Sequence, residues 1–145
     1  MSLIQTIKEA WGWIGIDPDK VVSQNEFGNL IIKDTAGKYW RLCPEDLYCS
    51  VIADNREELD KLTTDHEFVH DWFMQTLVDQ AHHKLGPLNE DEKYYLVIPG
   101  PLGGAYAASN IQKLPLHQLV GLSGDIAQQI ENLPDGAKIQ LKVDD

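Results

Sequence analysis

The run Leu30-Ile31-Ile32-Lys33-Asp34-Thr35-Ala36-Gly37-Lys38-Tyr39-Trp40-Arg41-Leu42-Cys43 reads as two strands joined by a tight turn. Asp34-Thr35-Ala36-Gly37 supplies the turn, because Asp hydrogen-bonds its own backbone and Gly accepts backbone angles that other residues avoid. On the second strand Tyr39, Arg41 and Cys43 alternate with Trp40 and Leu42, the period of a pleated strand. Upstream, Val21-Val22 leads into a second turn signal, Asn25-Glu26-Phe27-Gly28. Downstream, Pro44-Glu45 breaks the pattern, and Leu47 to Ala53 resumes it with aromatic and β-branched residues. The stretch is a β meander.

Helical patterns flank it. Leu3, Ile7, Ala10 and Trp11 recur at helical spacing, and Gly12, Gly15 and Asp17-Pro18 end that helix. Asn55 to Leu62 reads as a short helix with Asn55 as its N-cap and Glu57 and Glu58 in its first turn. A long helix is expected from Asp65 to Leu85, where Val69, Phe73, Leu77, Ala81 and Leu85 recur every fourth residue before Gly86-Pro87. Tyr94 to Ile98 and Ile111 to Leu114 read as strands, separated by the Pro/Gly loop Pro99 to Gly104. Pro115 fits the first turn of a helix that ends near Leu133, with Gly121 and Gly124 as points where it could kink. Pro134-Asp135-Gly136 then turns into a half-exposed strand of Ile139, Leu141 and Val143. Strands and helices are partly segregated, so the class is α+β: an antiparallel meander packed against a long central helix and a C-terminal helix.

With 145 residues, of which 43% are hydrophobic, the chain can bury a core as one domain. Its net charge of −11 argues against a nucleic-acid binder and against an anionic membrane surface. No apolar run approaches the ~20 residues of a membrane span. The first ten residues have no basic head followed by an apolar stretch, so no signal peptide is expected. Cys43 and Cys49 fit small buried hydrophobes better than a disulfide, which suits a reducing, cytoplasmic setting.

One motif carries chemistry if taken literally. His66-Glu67-Phe68-Val69-His70 is a formal HExxH, in which two His on one helix face grip zinc and the Glu acts as general base. A zinc-dependent hydrolase is the enzymatic alternative it offers. Against it, the motif sits in the first turn of its helix, and Thr64 to Glu67 fits a capping box that gives Glu67 a structural role. One of the two His is expected to be partly buried on the stripe of Phe73 and Leu77. The residue after the second His is the charged Asp71. The bland reading of a helix start is preferred, with no catalytic residue, metal or cofactor assigned.

Between Asp54 and Asp71 there are seven acids against two bases, Arg56 and Lys61. Such a segment is either a solvated face or a match for a basic partner. The candidate partner-binding residues are Asp54, Glu57, Glu58, Asp60, Asp65 and Asp71, with an exposed aromatic neighbour as anchor.

Longer stretches carry a resemblance. They are Lys38-Tyr39-Trp40-Arg41-Leu42-Cys43-Pro44-Glu45-Asp46-Leu47-Tyr48, Leu85-Gly86-Pro87-Leu88, Tyr94, Pro99-Gly100-Pro101-Leu102-Gly103-Gly104, and Asn110-Ile111 with the Leu/His stretch that follows. In these the chain resembles bacterial immunity proteins that pair with DNase effectors of the type VI secretion system. It looks like their C-terminal domain joined to a GAD-like N-terminal part. The resemblance implies one immunity-protein-like domain over 1–145, with sub-parts 1–62 (GAD-like meander) and 63–145 (C-terminal immunity domain). It also implies a non-enzymatic role, in which the chain binds and neutralises a cognate toxin, expected to be a nuclease. The expected mechanism is charge-assisted occlusion of the toxin's active site. A general protein-interaction domain without a toxin is the remaining alternative.

Overall fold

The computed structural model describes residues 2–131 and 133. Helix α1 (Leu3–Trp11) is capped by the Ser2 hydroxyl, which accepts from Gln5 N. Four strands follow: β1 (Pro18–Gln24), β2 (Leu30–Asp34), β3 (Tyr39–Cys43) and β4 (Tyr48–Ala53). They form one antiparallel sheet in the order β1-β2-β3-β4, with Leu30 opposite Leu42 and Arg41 opposite Ser50. Helices α2 (Arg56–Leu62), α3 (His66–Phe73) and α4 (Gln75–Leu85) come next. A two-stranded sheet of β5 (Glu92–Leu96) and β6 (Ile111–Pro115) and the helix α5 (Leu116–Ile130) complete the described chain. The architecture is α+β, as the sequence implied.

The larger sheet is covered on both faces. Leu30, Ile32 and Leu42 pack with Ile7 and Trp11 of α1 and with Leu116, Val120 and Ala127 of α5. The intervening residues Ile31 and Tyr39 face the other way, onto Leu59 of α2 and Trp72 of α3. The one-residue alternation along each strand therefore sorts side chains between two apolar cores. A third core joins Phe27 to Leu77, Val78 and Ala81 of α4 and to Tyr94, Leu96 and Ile111 of the small sheet. Between α1 and α5 the backbones nearly touch at Gly124, where a Cβ would lie 2.4 Å from the Ala10 carbonyl oxygen.

Several expectations are refined or corrected. The central helical run is interrupted at Met74, which adopts a left-handed conformation (φ 49°) between α3 and α4. The interruption is held from outside. Asn25, in the β1–β2 turn, donates its Nδ2 to the Trp72 carbonyl at 2.7 Å, satisfying an acceptor at the end of α3. The N-cap of α3 is Asp65 rather than Thr64. The Asp65 carboxylate accepts from Glu67 N and Phe68 N, while Thr64 Oγ1 donates back to Lys61 O. The aspartate reaches two free amides where the box needed a Thr–Glu pair. Pro115 is the N-cap of α5, one place before its first turn, and α5 runs unbroken through Gly121 and Gly124. Strand β5 starts at Glu92 and stops at Leu96, leaving Val97 and Ile98 exposed beyond it. The turn expected at 134–136 and the strand expected at 139–143 lie outside the described residues.

Candidate partner-binding face

The six nominated acids all lie on or beside α2 and α3, and all are exposed. Their carboxylates are already engaged within the chain. Asn55 caps α2 by accepting from Glu58 N, and the Glu58 carboxylate accepts from Asp54 N in return, which closes the N-terminus of α2. Asp54 faces Lys38 at 3.9 Å, Glu57 faces Lys61 at 3.8 Å, and Asp60 accepts from Arg56 Nε at 2.8 Å. Both cations of the segment, Arg56 and Lys61, are thus paired on their own helix. The remaining surface charge is negative.

Asp71 reaches inward. It accepts from Arg41 Nη1 at 2.6 Å, and Arg41 is buried on β3. The Arg41 guanidinium also lies 5.2 Å from the Trp72 ring centroid and 5.8 Å from that of Phe68. Arg41 Nε donates to Asn29 Oδ1, and Asn29 Nδ2 donates to both carboxylate oxygens of Glu45 at 2.6 and 3.1 Å. A chain of buried polar groups therefore runs from Glu45 through Asn29 and Arg41 to the acidic surface at Asp71. Burial is the largest influence on Arg41 and opposes its charge, but the Asp71 hydrogen bond together with the nearby Tyr48, Cys43 and Asp71 charges holds the guanidinium above its ordinary value. Burial pushes the Glu45 carboxyl up, against the hydrogen bonds that it accepts.

Beside this network lies a cleft of about 310 Å³, with Arg41, Glu45, Asp46, His70, Asp71 and Tyr106 among its walls. The Tyr106 hydroxyl donates to Asp46 Oδ1, and Cys43 Sγ donates to Asp46 Oδ2 at 3.7 Å. The ligand atoms of Cys43, Glu45 and Asp46 fall within 4.8 Å of one another. Their chemistry suits a hydrogen-bonded cluster better than a metal site. Burial raises the Cys43 thiol far above its usual range, so it stays protonated, and both carboxylates already have donors.

The HExxH segment is placed otherwise than a metal centre requires. His66, Glu67 and His70 are all exposed on α3, so neither imidazole is the partly buried one that the sequence suggested. The shift arises because Trp72, not Phe73, faces the core: Trp72 is buried and Phe73 is 59% exposed. Among the described residues, no third Cys, His, Asp or Glu gathers with these groups at ligand spacing. The expected exposed aromatic neighbour exists and is Phe73. Sequence reasoning missed the Asn29–Arg41–Glu45 network, whose only signal was a charged residue at an inward-alternating strand position.

Described in those terms, the chain can be compared with known proteins. A family model described as "T6SS immunity protein Tdi1, C-terminal" matches residues 53–127, just over half of the chain. Among curated proteins none matches. The matched segment runs from the last residue of β4 through most of α5, and it contains all six nominated acids. No helix of the described residues is long and apolar enough to cross a membrane. The chain belongs to the type VI secretion system immunity proteins of the Tdi1 C-terminal family.

Proposed function

We propose that this protein binds a cognate type VI effector inside the producing cell's cytoplasm and neutralises it without performing a reaction of its own. The effector is inferred to be a DNase. A nuclease presents Lys and Arg to phosphate, and a carboxylate face competes for the same donors. The observation that carries this reading is the α2–α3 surface. Its two cations are consumed by their own acidic neighbours, so Asp54, Glu57, Glu58, Asp60, Asp65 and Asp71 leave a net negative face toward a partner. Occlusion of the toxin's active site, assisted by charge, is the mechanism this face suits. Within the stretch 1–62, which the resemblance implies to be GAD-like, the sheet and α1 would act as the scaffold that holds α2 and α3 in place.

The test is co-expression with the toxin encoded beside this gene. Growth is expected to be rescued by the wild-type chain. The double variant Glu57→Lys/Asp60→Lys is expected to bind with a slower association rate, and the difference should shrink at high salt. Persistent toxicity together with absent binding of the two purified proteins would reject the reading.

A further inference from the structure

The cleft beside Arg41 opens where three parts of the chain meet. Glu45 and Asp46 come from the β3–β4 connection, Asp71 from α3, and Tyr106 from the loop between β5 and β6. Its volume of about 310 Å³ lies at the low end for ligand pockets and suits one side chain better than a cofactor.

Three observations say which side chain. The first is charge. Three carboxylates line the cleft, those of Glu45, Asp46 and Asp71, against one guanidinium, Arg41, which Asp71 already holds at 2.6 Å. That bond occupies Asp71 Oδ2, and among the described residues no donor meets Oδ1. Asp46 feels the imbalance. Burial, and with it the charge of Asp71, holds its carboxyl above the ordinary value, against the Cys43 hydrogen bond and Arg41. A further cation would relieve that repulsion.

The second is an aromatic ring. Tyr106 is 49% exposed, and its hydroxyl is fixed by donating to Asp46 Oδ1. A Cβ on Gly100 would meet that hydroxyl, so the glycine leaves it room. A ring held beside carboxylates suits a planar guanidinium. Arg41 is itself held this way, by Asp71 and the rings of Phe68 and Trp72. The third is the lining. Half-buried Met74 and buried Leu77 also line the cleft and offer apolar surface to the stem of a long cationic side chain.

We propose that this cleft receives an arginine side chain of the toxin, with Asp46 and Asp71 taking its guanidinium and Tyr106 covering it. The inference rests on the immunity reading above and adds the place where a charge pair held out of water, rather than the open acidic face, sets the lifetime of the complex. An arginine engaged here is withdrawn from phosphate.

The experiment is surface plasmon resonance of the full chain against a catalytically inactivated form of the toxin from the neighbouring gene. Asp46→Asn removes a charge and keeps an acceptor for Tyr106, and Thr76→Trp fills the cleft from α4, where Thr76 is exposed. Both are expected to weaken Kd by about tenfold or more, through faster dissociation that persists at high salt, while Tm stays near that of wild type. Glu9→Gln, on α1, serves as the control and is expected to leave Kd unchanged. If Asp46→Asn unfolds, Thr76→Trp alone decides the matter. Wild-type binding with both variants within about twofold would overturn the cleft and leave the immunity reading standing. An Asp46→Asn effect confined to association and lost at high salt would make Asp46 part of the steering face and overturn the proposal. So would undiminished wild-type binding to toxin whose arginines have been capped with phenylglyoxal. No binding by wild type to the untreated toxin would overturn both readings.

Discussion

Arg41 and Asp71 form a 2.6 Å ion pair in which the two partners live in different solvents: the Arg41 side chain is 6% exposed and the Asp71 side chain 69%. The pair ties β3 to α3 and hence the sheet to the acidic face. Removing Asp71 takes from a buried cation its hydrogen-bonded carboxylate, while Asn29 and two aromatic rings stay beside it. Asp71→Ala is expected to destabilise the fold by about 2 kcal/mol, less than a fully buried pair because Asp71 itself stays solvated. Thermal unfolding checks this, and Asp71→Asn should lose less. Any loss of partner binding in Asp71→Ala must therefore be corrected for folding, which the exposed Glu57 does not require.

Glu45 gives a pH signature. Burial holds its carboxyl above the ordinary value of 4.5, opposed by the Asn29 hydrogen bonds. The folded chain thus binds this proton more tightly than the unfolded chain. The group's contribution to stability declines as pH rises from about 4.5 through the folded-state value. Glu45→Gln lacks the titration. The difference in Tm, variant minus wild type, is expected to increase with pH across that window and then level off. A difference that is flat or falls with pH would contradict the assignment.

The two glycines of α5 are expected to respond with opposite sign. A Cβ on Gly121 meets nothing within 4 Å, so Gly121→Ala should stabilise by about 0.5–1 kcal/mol through helix propensity. A Cβ on Gly124 would lie 2.4 Å from Ala10 O, a backbone atom that cannot swing away. Gly124→Ala should cost about 1–3 kcal/mol by pushing α1 off α5. Chemical denaturation of the two variants measures both.

Met74 offers a test of the helix break. Its left-handed backbone penalises any Cβ. Met74→Gly is expected to be more stable than Met74→Ala by about 1 kcal/mol, the reverse of their order inside a helix. Both lose the same side chain, so the comparison isolates the backbone. Equal stabilities, or Ala above Gly, would show that the break carries no strain.

These cases also mark what could be read from sequence. The meander was legible because Asp34 to Gly37 and Asn25 to Gly28 punctuate alternating runs with local turn chemistry. The Asn55 cap was legible for the same reason. The break at Met74 was not, since Val69, Phe73, Leu77, Ala81 and Leu85 keep an unbroken four-residue spacing and neither Gly nor Pro intervenes. The carbonyl it frees is met by Asn25, far away in sequence, and tertiary hydrogen bonds leave no local trace. The acidic composition of α2 and α3 was plain, but not that each nominated carboxylate already has a donor or an ion-pair partner in the fold. Nor was the groove of about 310 Å³ between β1 and helices α2 and α3 visible, because its walls come from strands and helices that only packing brings together.

The first apolar core has a practical meaning for anyone who wants to re-target the molecule. Ile7, Trp11, Leu30, Ile32 and Leu42 precede the family-matched segment, and Leu116, Val120 and Ala127 belong to it. The boundary at residue 53 is thus a line drawn through interlocked packing, not a seam. A graft of 53–127 from a relative would arrive without the surfaces that its last helix was shaped against. On the proposed reading, recognition would be transplanted by exchanging α2 and α3 alone, or by carrying the leading helix and the four-stranded sheet along with the rest.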